Sequence, residues 1–233
     1  MKILAIEASG LVAGVSVCTE DRVIVEYNLN TALTHSETLM PMVAQALSAA
    51  GESLSGMDYI ACAQGPGSFT GLRIGAACAK ALAHAADKPI VPVPTLAALA
   101  YNVALTNQTI IPMMDARRQQ VYAAFYRYDA GGRLQTVREA AALGLTEVLD
   151  AAVGCMEGAL FLGDGATAYQ EELSTRAGFS LAPAAHRTQR AAAVGGLGLM
   201  LAKEGKAVSY DGFTLLYLRK PQAEREYEGK RES

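Results

Sequence analysis

Residues 2–29 read KILAIEASGLVAGVSVCTEDRVIVEYNL, and residues 109–137 read TIIPMMDARRQQVYAAFYRYDAGGRLQTV. The two stretches carry one pattern. Each opens on an apolar strand that ends in an acid, breaks at a turn, alternates as a second strand, turns again and ends on a third. In the first stretch, residues 2–8, 12–18 and Val23–Leu29 are the strands, with turns at Ser9–Leu11 and Glu20–Arg22. In the second, residues 109–114, 119–127 and Arg133–Val137 are the strands, with turns at Asp115–Arg118 and Asp129–Gly132. Glu7-Ala8-Ser9 and Asp115-Ala116-Arg117 hold matching places.

The pattern continues outward from both meanders. The first runs into a helix near 35–50, strand Tyr59–Ala63, a Gly-rich turn at 65–71, a helix near 70–86, strand Ile90–Val93 and helix Thr95–Leu105. The second runs into a helical segment at 139–153, strand Leu160–Leu162, turn Gly163-Asp164-Gly165, helix 167–177, strand Phe179–Ala182 and helix 188–204. A repeated β-β-β-α-β-α-β-α order predicts an α/β chain of two lobes, each a mixed sheet covered by helices. The lobes divide into residues 1–104 and 105–233, with a linker at Leu105–Gln108. Residues 214–233 are left to pack back on the first lobe or to lie free, and the charged tail from Gln222 lacks an apolar pattern.

Composition narrows the function classes. Hydrophobic residues make up 51% of the 233 and charged residues 18%, ample for a core. A net charge of −3 argues against a chain that grips nucleic acid by its own charge. Cys18, Cys62, Cys78 and Cys155 form no CxxC pair, and His35, His84 and His186 have no metal-ligand spacing. Neither an export signal nor a spanning helix is expected: Glu7 interrupts the first apolar run, prolines break 89–114, and 191–202 is too short. The reading is a cytoplasmic protein without a membrane partner.

Two helices carry the sharper signals. Thr34 and Glu37 form a T-x-x-E capping box. Behind it Leu39, Val43 and Leu47 repeat at helical spacing, with Met42 and Ala46 beside them, an arc too wide for one sheet face. His35-Ser36-Glu37 lacks a second ligand at helical spacing, so first-turn capping is the better reading. The stretch GPGSFTGLRIG at 65–75 lies between a strand and a helix but fits neither Walker A nor GxGxxG. In the helix that follows, Gly71, Gly75 and Ala79 leave a smooth stripe, with Leu72 and Ala76 beside it. Gly in a helix interior costs about 1 kcal/mol against Ala, so something comes close to Gly75. Either the lobe's own sheet or a helix of another protein fits, and the wide arc of 35–50 favours the second. The expected partner-facing set is Leu39, Met42, Val43, Ala46, Gly71, Leu72, Gly75, Ala76 and Ala79. In the second lobe Gly163, Asp164 and Gly165 are candidates for a nucleotide phosphate or for a tight turn, and Glu7 and Asp115 are candidate cleft carboxylates.

The two-lobed duplication resembles the actin-like, sugar-kinase and heat-shock-ATPase superfamily with its ribonuclease H-like lobes. Within it, GPGSFTGLRIG (65–75) closely resembles the signature of the TsaB family. So do ILAIEAS (3–9), His35-Ser36-Glu37 with Leu39 and Pro41, DARRQQVY (115–122) and Tyr217-Leu218-Arg219. Ala8 departs from the usual Thr. The resemblance implies a non-catalytic dimerisation subunit in the synthesis of tRNA threonylcarbamoyladenosine. The related TsaD subunit would do the chemistry with an HxxxH metal helix; here His35 is followed by Leu39. It also implies TsaE as a partner, ATP or ADP and metal on the partner subunits with no cofactor of its own, tRNA met only through the complex, and a self-dimer when alone. A small ATP-dependent phosphotransferase on the same fold is the alternative. A peptidase lacks both a metal pair and a nucleophile arrangement.

Overall fold

The computed structural model describes residues 1–31, 33–103 and 106–219. Its strands form two five-stranded sheets of one topology. The first has order β3-β2-β1-β4-β5, from β1 (Lys2–Glu7), β2 (Ala13–Thr19), β3 (Val23–Leu29), β4 (Tyr59–Gly65) and β5 (Ile90–Pro94). The second has order β10-β9-β6-β7-β8, from β6 (Thr109–Asp115), β7 (Gln120–Tyr128), β8 (Leu134–Gly144), β9 (Ala159–Leu162) and β10 (Phe179–Leu181). Read from the third strand of each meander, the orders coincide. In both, the first strand pairs antiparallel with the second and parallel with the fourth. The duplication expected from the sequence is therefore present strand for strand.

Helices cover both faces of the first sheet, so central β1 is buried almost throughout and is correspondingly apolar. Helices α1 (His35–Ala50) and α2 (Phe69–Ala86) lie side by side on one face, burying Leu39, Met42, Val43 and Ala46 with Leu4, Ile6 and Val15. The capping box forms as expected: the Thr34 N–H and hydroxyl donate to the Glu37 carboxylate at 3.2 and 2.8 Å, holding that carboxyl below its usual range. Pro41 sits inside α1, which nevertheless runs unbroken.

The other face is closed by an exchange between the halves. Helix α8 (Ala191–Lys203), expected in the second lobe, packs on the first sheet against Ile3, Ala5 and Ala61. Its glycines make this possible: an added Cβ on Gly195 would lie 2.7 Å from Cys18 Sγ, and on Gly198 2.8 Å from the Ala61 Cβ. Helix α3 (Thr95–Ala100) reaches the other way, placing Leu96, Leu99 and Ala100 against Ile110, Met114 and Leu162 of the second sheet.

The second lobe differs from expectation in two places. Residues 138–144, rich in helix formers, extend strand β8, with Leu143 opposite Val121 and Ala141 opposite Ala123. Pairing with β7 and burial of Leu143 override local propensity, and helix α4 (Leu145–Val153) starts only after Gly144. The single helix expected at 167–177 is two short ones, α5 (Asp164–Ala168) and α6 (Gln170–Ser174), parted at Tyr169. A last short helix, α7 (Ala184–Arg187), leads towards α8. Leu105 of the expected linker and the tail from Gln222 lie outside the described residues.

Candidate functional site

The ends of the first strands of the two sheets meet at a cleft of about 620 Å³. Its walls include Ser9 and Gly10 after β1, Ser68 to Thr70 at the start of α2, Asp115 and Arg117 after β6, Asp164, and Tyr217 to Arg219.

Glu7 does not line this cleft, contrary to the expectation of two facing carboxylates. It is 1% exposed, and its Oε1 accepts the Ser9 N–H at 2.6 Å and the Ser9 hydroxyl at 2.5 Å. Burial pushes its carboxyl up to about 7, the Ser9 bonds restraining the rise. The carboxylates that do face the cleft are Asp115, whose Oδ1 accepts the Arg117 N–H at 2.8 Å, and Asp164. Burial first, and then the Asp115 charge, raise the Asp164 carboxyl, and its Oδ1 has no hydrogen-bond partner.

The Gly-rich loop is clamped onto the end of β1. An added Cβ on Gly67 would lie 2.2 Å from the Ser9 carbonyl oxygen, and on Gly71 2.2 Å from that of Ala8. The Ser68 N–H donates to the Ser9 carbonyl at 2.7 Å, Gly65 N–H to the Thr95 hydroxyl, and Gly71 N–H to the Ser68 hydroxyl. These amides serve the fold. Gly163 and Gly165 play the same part in the second lobe: Gly163, at φ 103°, would place a Cβ 2.0 Å from the Met113 carbonyl oxygen, and Gly165 presses on Met113 and Met114. The Gly163-Asp164-Gly165 run is thus explained by close approach to β6, leaving Asp164 as its cleft-facing member.

The expected partner-facing residues lie on the wrong side of their helices. Leu39, Met42, Val43, Ala46, Leu72, Ala76 and Ala79 are all buried, as are Gly71 and Gly75. A Cβ on Gly75 would meet the Ala8 Cβ at 3.1 Å, so the smooth stripe exists to seat α2 on β1. Sequence reasoning missed the outward face, where Met40, Pro41 and Ala44 of α1 and Ala77 and Ala81 of α2 are exposed. A signal for it was present: residues 38–51 contain no charged side chain, although half a surface helix normally faces water.

Two groups tie the site together. His35 Nε2 lies 3.1 Å from the Gly10 carbonyl oxygen, joining the start of α1 to the turn after β1. The C-terminal segment crosses from lobe to lobe. Phe213 is buried in the first core, Leu216 N–H donates to the Gln64 carbonyl at 2.8 Å, and Arg219 donates to the Ala116 carbonyl at 2.8 Å and to Gln120 Oε1. Among the described residues, no three His, Cys, Asp or Glu side chains come together as a metal site.

The twin sheets, the exchanged helices and the cleft at the strand ends define a two-lobed α/β protein of the actin-like, ribonuclease H-like class. A family model described as TsaD, tRNA N6-adenosine threonylcarbamoyltransferase, matches residues 29–203. The Bacillus subtilis protein named tRNA threonylcarbamoyladenosine biosynthesis protein TsaB is 35% identical over 227 residues, 96% of each chain. The Escherichia coli protein of that name is 34% identical over 134 residues, 57% of this chain and 58% of its own. A Pseudomonas aeruginosa crystal structure, described as an uncharacterized protein with similarity to peptidase YeaZ, matches with a TM-score of 0.80 at 28% identity, covering 94% of this chain and 99% of that one. The chain belongs to the TsaB family. No helix among the described residues is long and apolar enough to cross a membrane.

Proposed function

We propose that this chain is the non-catalytic dimerisation subunit of a complex that makes N6-threonylcarbamoyladenosine in tRNA, and that it holds a catalytic relative of the TsaD type through the outward face of α1 and α2. The observation that carries this reading is the face itself: two neighbouring helices expose Met40, Pro41, Ala44, Ala77 and Ala81, with no charge on α1 beyond its first turn. Paired helices with small and apolar outer residues can complete a four-helix bundle with a second pair. The names of the relatives supply the pathway. In this reading the complex works in the cytoplasm with a TsaE ATPase. ATP, ADP and metal reside on the partners, and the same face joins two copies when the catalytic subunit is absent. The division into lobes at residues 1–104 and 105–233 is part of the same proposal, its boundary lying outside the described residues.

Asp115 and Asp164 in one cleft favour a second reading, a small ATP-dependent phosphotransferase. Light scattering on column eluates separates the two. The chain alone should form a dimer that converts to a heterodimer with the TsaD-type subunit of its organism. Ala77→Glu puts a charge into the joint and should abolish both while leaving the melting temperature within a degree or two, as exposed substitutions do. A chain that ignores the catalytic subunit, yet binds and hydrolyses ATP with magnesium in calorimetry, would overturn the first reading in favour of the second.

A further inference from the structure

At the mouth of the cleft the C-terminal segment lays Tyr217 on α2. Its ring packs on Phe69 at a tilt of 41°, with centroids 5.3 Å apart. The Arg73 guanidinium lies 3.8 Å from the Phe69 centroid, and its Nε donates to the Tyr217 hydroxyl at 3.3 Å. This is not a core contact: Arg73 is exposed and Tyr217 keeps 40% of its surface in water. On the other lobe, Arg117 and Arg118 stand exposed on consecutive left-handed residues, at φ 62° and 56°. Such a conformation is uncommon without glycine, so the turn holds both cations outward at a conformational cost. Among the described residues, neither pairs with a carboxylate.

A pinned, half-open aromatic ring that shares its cleft with Arg117, beside Arg118 in the same turn, suits an unstacked base with its flanking phosphates. A fixed ring has little freedom left to lose, and its π-face accepts any base. The arginines answer the phosphates, which a net charge of −3 over the whole chain cannot do. Of the cleft carboxylates, Asp115 is engaged with the Arg117 N–H and Asp164 is half-buried. Arg73 is one helical turn from Ala77, about 6 Å along α2. A strand held at this lip therefore runs alongside the proposed joint with the catalytic subunit.

We infer that Tyr217, Phe69 and Arg73, with Arg117 on the facing wall of the cleft and Arg118 next to it in the turn, form a lip that binds an unpaired nucleotide of RNA. This rests on the proposed role in tRNA modification, and places part of the RNA contact on the subunit without the chemistry.

The test is fluorescence anisotropy of a labelled, unmodified tRNA, titrated with the full chain alone and with its complex with the TsaD-type subunit, at several salt concentrations. Tyr217→Leu should weaken binding roughly tenfold with no change in salt dependence, and Tyr217→Phe should keep it. Arg117→Gln with Arg118→Gln should lower the slope of log affinity against log salt by about 1 to 2. Unchanged affinity and slope in all these variants, with folding intact by circular dichroism, would overturn the lip. So would displacement of the RNA by free AMP at concentrations that saturate the site, since that defines a mononucleotide pocket. If the variants behave as expected on the chain alone but no complex forms, the lip stands and the proposed function falls. If the complex forms and its RNA affinity ignores the variants, the lip falls and the function stands.

Discussion

The turns after β1 and β6 occupy one place in the repeat and have opposite fates. Glu7 is sealed inside and bonded to Ser9, whereas Asp115 is exposed at the cleft. The difference lies in what covers each turn. The first is pressed by the loop at Gly67–Gly71, by His35 and by the 3%-exposed Gln189, whose amide packs on Gly10. The second is held from outside, chiefly by Arg219 of the crossing segment. A duplicated backbone thus carries a structural acid in one copy and a solvent-facing acid in the other. Neighbours, not topology, decide which.

The largest effect is expected where the first turn is tightest. Gly71→Leu has no room beside the Ala8 carbonyl and should cost more than about 3 kcal/mol in urea unfolding, enough to unfold much of the lobe. Gly75→Leu should follow it, because its stripe faces the protein's own β1. A folded Gly71→Leu chain would break the comparison at its root.

Next comes the pH dependence of Glu7. Its folded value of about 7 lies above the ordinary 4.5, so the folded chain binds the proton more tightly than the unfolded chain. The associated stability is fully present below about pH 4.5 and is lost as pH rises through about 7, amounting to roughly 3 kcal/mol. Glu7→Gln should remove this slope, making the variant gain on the parent between pH 5 and pH 8. Asp115→Asn, at an exposed side chain whose amide oxygen can still accept the Arg117 N–H, should change stability by less than about 0.5 kcal/mol at pH 7. Equal slopes in parent and Glu7→Gln melts would show that Glu7 is not the sealed acid described.

An effect smaller than those of the glycines and Glu7 belongs to the crossing segment. Arg219→Ala removes two hydrogen bonds to the second turn and should cost about 1 to 2 kcal/mol. Amide exchange should quicken at residues 116–120 while residues 8–12 stay protected. Faster exchange in both turns would mean that the segment holds the whole molecule rather than one lobe.

Much of this was legible in the chain. Strand patterning and turn acids reveal the twin meanders, because alternation and polar breaks are local consequences of a sheet with buried faces. The positions of α1 and α2 were equally readable from the Thr34–Glu37 box and the helical spacing behind it. Which face of these helices turns inward was not. Alanine and glycine suit a tight core and an exposed joint alike, so Ala76 and Ala77 differ in burial while looking the same in sequence. Residues 138–144 failed for the converse reason: helix-forming side chains were captured by a neighbouring strand.

By itself, then, the amino-acid sequence determined the repeat, its first turns, helices α1 and α2 and the family, since each is written in local spacing or in contiguous motifs. Tertiary structure alone decided that α8 crosses to the first sheet, that Glu7 is sealed while Asp115 meets water, and that residues 213–219 bind the two lobes together. Those outcomes depend on contacts between segments far apart in the chain, where a carbonyl 2.2 Å from an absent Cβ settles what no pattern of neighbouring residues records.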